Sequence, residues 1–215
     1  MKSFIFDLDG VIVDTAKYHF LAWKNLANEL GFEFTEKQNE QLKGVSRVRS
    51  LEILLNLGNI ELSEDKKKTL LKEKNEEYLE YVNKMTKDEI LPGIDLLLKY
   101  LEKNNIKFAL GSASKNAVLI LKKVGLFDKF TAIVDGNHVN KAKPDPEVFL
   151  IAAQKLNEEP DACIVIEDAL AGVQAANIAG MTSVAIGDKN VLYEADYLLE
   201  STNELTIHFI KKLIA

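Results

Sequence analysis

The 215-residue sequence predicts an α/β protein, a doubly wound parallel sheet interrupted by an all-helical insertion. Three observations carry this. Short apolar runs rich in Ile, Val and Phe recur along the chain, each too short for a helix. Segments with helical spacing alternate with them, which implies right-handed crossovers and parallel strands. Residues 15–90 break the alternation, because they hold no convincing strand.

The first strand is expected at 3–6. The insertion then reads as a helix over 16–30, with Phe20, Trp23, Leu26, Ala27 and Leu30 on one face, another near 50–57, and a charged one over 64–84. Lys66, Lys67 and Lys68 read as the solvated face of that last helix. A helix over 94–104 places Ile94, Leu97, Leu98 and Leu101 together. Strands are expected at 107–110, 131–134, 162–166 and 183–186. The helices between them start at Ser114, as an N-cap, and cover 148–156 and 169–179. The expected division is a core of 1–14 and 91–215 with a cap of 15–90.

Composition excludes several classes. A net charge of −6 disfavours a nucleic-acid binder, which needs a basic field. One Cys and four Pro rule out a disulfide scaffold or a low-complexity chain. Cys163 lies in an apolar run and reads as a small buried hydrophobe, and three scattered His do not make a zinc site. Asp7 and Asp9 interrupt any signal-peptide apolar region. The charge-free stretch 169–187 contains Gly172, Gln174, Asn177 and Gly180 and reads as helix, turn and strand, not as a membrane span. A cytoplasmic monomer acting on small molecules, without membrane or nucleic-acid partners, is the expectation.

In an open parallel sheet, ligands bind beyond the carboxyl ends of the strands. Those positions hold Asp7 and Asp9, then Ser112 to Asn116, then Asp135 and Lys143, then Glu167 and Asp168. Each has an ordinary alternative: Asp168 suits a helix N-cap, and Ser-rich turns and Lys-Pro pairs are common. Together, however, four carboxylates in one cleft repel one another unless a cation sits among them. Oxygen ligands suit Mg²⁺, which keeps waters and accepts a phosphate oxygen. Lys143 would supply positive charge, and Ser112 with nearby amides would hold phosphoryl oxygens.

The Asp7-x-Asp9-Gly10-Val11 opening, Ser112, Lys143 and Glu167-Asp168 resemble the four motifs of the haloacid-dehalogenase superfamily of phosphoryl-transfer enzymes, in order across the whole chain. The insertion resembles the α-helical cap of one subgroup. Residues 14–20, 22–24, 39–47 and 112–116 are similar to a sugar-phosphate mutase branch of that superfamily. The resemblance implies a HAD-like, Rossmann-type core and an isomerase that interconverts β-D-glucose 1-phosphate and D-glucose 6-phosphate. It implies Asp7 as the nucleophile that becomes phosphorylated and Asp9 as the general acid and base. Asp7, the main-chain carbonyl of Asp9, Asp168 and Glu167 (directly or through water) would ligate Mg²⁺. Ser112 and Lys143 would bind the transferring phosphoryl group, and Ala113 beside them would be a substrate-binding residue.

A mutase passing through β-glucose 1,6-bisphosphate needs a second phosphate site. Arg47 is the candidate, with Ser114, Lys115 and Asn116, because a guanidinium matches phosphate bidentately. Read from spacing alone, Arg47 is an ordinary surface charge. Lys43, Gly44, Val45 and Ser46 resemble a sugar-contacting loop. His19 and Lys74 would contact or gate the substrate, or else be packed and solvated side chains. Trp23 would line the cleft or anchor the first cap helix, and Asp14 and Thr15 would be hinge or N-cap. Two rival readings are a sugar-phosphate phosphatase of the same superfamily and a non-catalytic phosphosugar binder, the latter having no need of both Asp7 and Asp9.

Overall fold

The computed structural model describes residues 2–214. Its six strands are β1 (Ser3–Phe6), β2 (Phe108–Gly111), β3 (Ala132–Val134), β4 (Cys163–Glu167), β5 (Thr182–Ile186) and β6 (Tyr197–Leu199). They form one sheet in the order β3-β2-β1-β4-β5-β6, with every pairing parallel. The first five match the apolar runs within a residue or two. β6 was not expected: it is three residues long and lies between Asp196 and Glu200, so no apolar run announces it.

β1 is wholly buried, as a central parallel strand with helices on both faces must be. Phe4 and Phe6 face one apolar cluster, packed by α5 (Ile94–Lys103) and α6 (Ala117–Val124). Ile5 faces the other, packed by α7 (Glu147–Leu156) and α8 (Leu170–Ile178). A C-terminal helix over Ile207–Ile214, also unforeseen, adds Ile210 to the first cluster.

Between β1 and α5 lie α1 (Ala16–Glu29), α2 (Glu36–Asn39), α3 (Arg47–Leu57) and α4 (Glu64–Asn83), with no strand among them. They share a cluster of their own, built on Trp23, Leu26, Phe34, Leu51, Leu54 and Leu70. Tyr78, Val82 and Met85 instead join the cluster on the sheet, so the lower end of α4 is packed onto the core. The two connections run side by side. Val13 and Ile90 form an antiparallel bridge, Asp14 N–H donates to Glu89 O (2.9 Å), and Leu91 N–H donates to Ile12 O (3.0 Å).

Two expected caps are corrected. α6 begins at Ala117 with Asn116 at its cap position, because Ser114 Oγ accepts from Asn116 N–H (3.2 Å) in a local turn. Asp168 does not cap α8; Ala169 occupies that position without a side-chain bond. α3 starts three residues earlier than expected, where Ser46 Oγ accepts from Arg49 N–H (3.3 Å). Among the described residues no helix is long and apolar enough to cross a membrane. Cys163 is buried.

Candidate active site

The sheet order places β1 between β2 and β4, so the loops after these three strands meet at the point where the winding reverses. Asp7 leaves β1, Ser112 leaves β2, and Glu167 ends β4 with Asp168 beside it. Lys143 enters from the loop between β3 and α7. Its Nζ lies 2.6 Å from Asp7 Oδ1 and 2.5 Å from Glu167 Oε1, and all three side chains are buried. Burial works against the ammonium, but the two carboxylates outweigh it and hold Lys143 above the usual lysine range.

Asp7 and Asp9 are brought together by a turn. Strand alternation plays no part, since β1 stops at Phe6, and Asp9 N–H donates to Asp7 Oδ2 (3.0 Å). The Asp9 carboxylate accepts from Thr15 Oγ1. Burial, and then the neighbouring Asp7, push its pKa up to about 7. A carboxyl in that range can give and take a proton near neutral pH.

Carboxylate oxygens of Asp7, Glu167 and Asp168 lie within 4.8 Å of one another. Glu167 is already engaged, through Lys143 on one oxygen and the N–H groups of Asp168 (2.8 Å) and Ala169 (2.9 Å) on the other. Burial, and then Glu167 and Asp7, hold Asp168 well above the usual carboxylate range. Three acids against one lysine, with Asp168 opposed by like charge, form a hard-oxygen donor set that fits a divalent cation such as Mg²⁺. The carboxylate of Asp9 stands outside this trio, which leaves its main-chain carbonyl as the only ligand expected of it.

These acids floor a cavity of about 480 Å³. On the core side, Ser112, Ala113, Ser114, Lys115, Asn116 and Lys143 line it. The helical insertion contributes His19, Trp23, Lys43, Gly44, Val45, Ser46, Arg47 and Lys74. The residues assigned to catalysis, substrate or metal from the resemblance thus all line this cavity, except Glu167, which is fully buried; Asp135, also at a strand end, is not among the lining residues.

Lys74 is buried, not solvated, with its Nζ 4.7 Å from the Trp23 ring centre and 2.9 Å from His19 Nδ1. Burial and the nearby Arg47 lower its pKa to about 7, and burial with Lys74 holds His19 well below the usual imidazole range. His19 stacks on Tyr78 at 4.1 Å and sets Nε2 3.9 Å from Asp9 Oδ1. Lys43 is paired with Glu40 (2.9 Å). Arg47, half-buried at the first turn of α3, has no carboxylate within 4 Å among the described residues.

The insertion touches the core directly. Gly44 has φ +70°, and a Cβ there would fall 2.7 Å from the Ala169 methyl, so only glycine permits this approach. Across the cleft, Asn116 Nδ2 donates to Asn75 Oδ1 (3.0 Å). Thr15 as a partner of Asp9, and Asn75, were not foreseen as site residues. Nothing in their local sequence marks them, since each acts through a partner brought near by folding.

A family model described as haloacid dehalogenase-like hydrolase matches residues 4–186. The β-phosphoglucomutase of Bacillus subtilis is 44% identical over 98% of this chain and 94% of its own. A phosphorylated carbohydrates phosphatase of Thermotoga maritima is 30% identical over the whole of both chains. The crystal structure of β-phosphoglucomutase from Clostridium difficile is similar with a TM-score of 0.93 at 45% identity, covering 99% of this chain and 96% of that one.

Proposed function

The chain belongs to the haloacid dehalogenase-like hydrolase family, and on that premise we propose that it works as a Mg²⁺-dependent β-phosphoglucomutase. Residues 1–14 and 91–215 serve as the catalytic core and 15–90 as its cap. The reading includes a cytoplasmic monomer whose partners are sugar phosphates. The observation that supports it is a single cavity lined both by Asp7 with its partner Lys143 and by two further cations, Arg47 and Lys115, which a substrate carrying two phosphates would need.

The chemistry then follows from the side chains. The Asp7 carboxylate attacks phosphorus in line and becomes an aspartyl phosphate while the sugar oxygen leaves. Asp9 protonates that oxygen, and in the return step takes the proton from the attacking hydroxyl. Lys143 and Ser112 hold the equatorial phosphoryl oxygens as charge redistributes. Mg²⁺ held by Asp7, Asp168 and the Asp9 carbonyl, with Glu167 alongside, would neutralise charge on the transferring group. Transfer from Asp7 to the 6-hydroxyl of β-glucose 1-phosphate gives the 1,6-bisphosphate. That molecule turns end for end, returns its 1-phosphoryl group to Asp7 and leaves as glucose 6-phosphate. While one phosphate reacts, Arg47, Ser114, Lys115 and Asn116 hold the other, and the lid above excludes water.

The test is product analysis with β-glucose 1-phosphate, Mg²⁺ and a trace of bisphosphate. Glucose 6-phosphate should form faster than inorganic phosphate, and exhaustive chelation should stop both. Faster release of phosphate would make the enzyme a phosphatase, with Asp7 and Asp9 keeping their roles. Arg47→Ala should lower mutase turnover by roughly 10–100-fold, the worth of one charge-assisted bidentate contact. Hydrolysis of a small single-phosphate ester should change little, and Lys at that position should rescue poorly. Equal losses in both assays would remove Arg47 from the second site.

A further inference from the structure

Asp135 follows β3 at the sheet's edge, next to the loop that carries Ser112 to Asn116, and the mechanism above makes no use of it. Its carboxylate is almost wholly buried. Oδ1 accepts from Asn137 N–H (2.9 Å) and lies 2.8 Å from His138 Nδ1, and Oδ2 accepts from Asn137 Nδ2 (3.2 Å). The acid therefore folds residues 135–138 into a tight turn around itself.

Two groups of this turn reach the neighbouring loop. Gly136 N–H donates to Ser114 O (3.3 Å), and Asn137 Nδ2 donates to Lys115 O (3.0 Å). The contact leaves no slack, since a Cβ on Gly136 would lie 2.4 Å from Ala113 O and 3.0 Å from Lys115 Cγ. Residues 113–115 belong to neither β2 nor α6, so no strand ladder or helix holds their carbonyls, whereas Asn116 O accepts the first bond of α6 from Ile120 N–H (3.1 Å). Inside the loop, the hydroxyls of Ser112 and Ser114 take up the N–H groups of Ser114 and Asn116. The turn after β3 ties the opposite side of those peptide planes.

We propose that this turn is a clamp on the second phosphate site and that Asn137 is its positioning residue. It touches no substrate: by holding the Lys115 carbonyl it fixes the direction in which Lys115, Ser114 and Asn116 meet the far phosphate. The inference rests on the two-phosphate reading above.

The experiment compares KM and kcat for hydrolysis of β-glucose 1,6-bisphosphate and of p-nitrophenyl phosphate, which has one phosphate, in wild type, Asn137→Ala and Asn137→Asp. Loss of one hydrogen bond should raise the bisphosphate KM by about 3–10-fold, with kcat nearly unchanged. KM for the single phosphate should stay at the wild-type value, and so should the melting temperature. Asn137→Asp keeps the shape but loses the donor, so it should behave like Ala. Gly136→Ala, which presses on Ala113 O, should shift the same KM further. An unchanged bisphosphate KM, an equal rise for both substrates, or a wild-type value in Asn137→Asp would overturn the clamp. A wild type that makes no glucose 6-phosphate from β-glucose 1-phosphate would overturn the mutase reading alone, because the KM comparison needs no mutase turnover.

Discussion

Asp7→Asn is expected to lose phosphoenzyme formation altogether and to lower turnover by more than about 10⁴-fold, as removal of a covalent nucleophile does. An amide nitrogen and a neutral carbonyl oxygen cannot take the place of a carboxylate in attacking phosphorus. The fold should survive. Asn can still accept from Lys143 through its carbonyl oxygen, and the change removes one of three mutually repelling acids. Without added metal the variant should therefore melt at or above the wild-type temperature while being inactive. Mass spectrometry of protein quenched during turnover gives the first readout and calorimetry the second. A phosphoryl adduct persisting on Asp7→Asn would move the nucleophile elsewhere.

Lys143→Met is expected to damage both stability and catalysis. The lysine is buried between two buried carboxylates, so replacing it with a neutral chain of similar length leaves Asp7 and Glu167 facing each other, with Asp168 close by, and no ammonium between them. Removing one partner of a buried ion pair typically costs about 3–5 kcal/mol. Urea unfolding in the presence of a chelator measures this, and millimolar Mg²⁺ should restore part of the loss by placing charge in the same cluster. Turnover should fall by roughly 10²–10³-fold, the scale of losing one fixed charge from the transition state. A variant as stable as wild type in chelator would mean that the carboxylates accept protons at no cost. The lysine would then be dispensable to the fold.

The parts of the molecule legible in the sequence share one property: the information lies within a few adjacent residues. The runs at 162–166 and 183–186 are buried on both faces, so their composition announces β4 and β5. β6 borrows its burial from β5 and the C-terminal helix and needs only Leu199 deeply buried, so three residues among acids leave no pattern. Asp7, Ser112, Lys143, Glu167 and Asp168 are readable because a parallel sheet sends every strand's end to the same edge. Thr15, Asn75 and Asn137 are not, because each is an ordinary polar residue until folding brings a partner from a distant loop. The same limit explains Ser114. Its preference for a local backbone bond was legible, but the choice between capping α6 and closing a turn depends on where Asn116 is pulled by Asn75.

The two connections between the helical insertion and the sheet have a mechanical consequence. Paired by the Val13–Ile90 bridge and its flanking hydrogen bonds, they form a two-ply ribbon, not two independent strings. A ribbon is compliant across its thin dimension and stiff against shear and stretch in its plane. Val82 and Met85 pack into the core cluster on the sheet, so a movement of the insertion about this ribbon would be confined to bending across its thin dimension. Such a movement would follow a single arc, and on return would bring Gly44 to Ala169 and Asn75 to Asn116 in the register seen here. Alignment across the cleft is thereby inherited from the ribbon's elasticity and does not have to be searched for anew in every cycle.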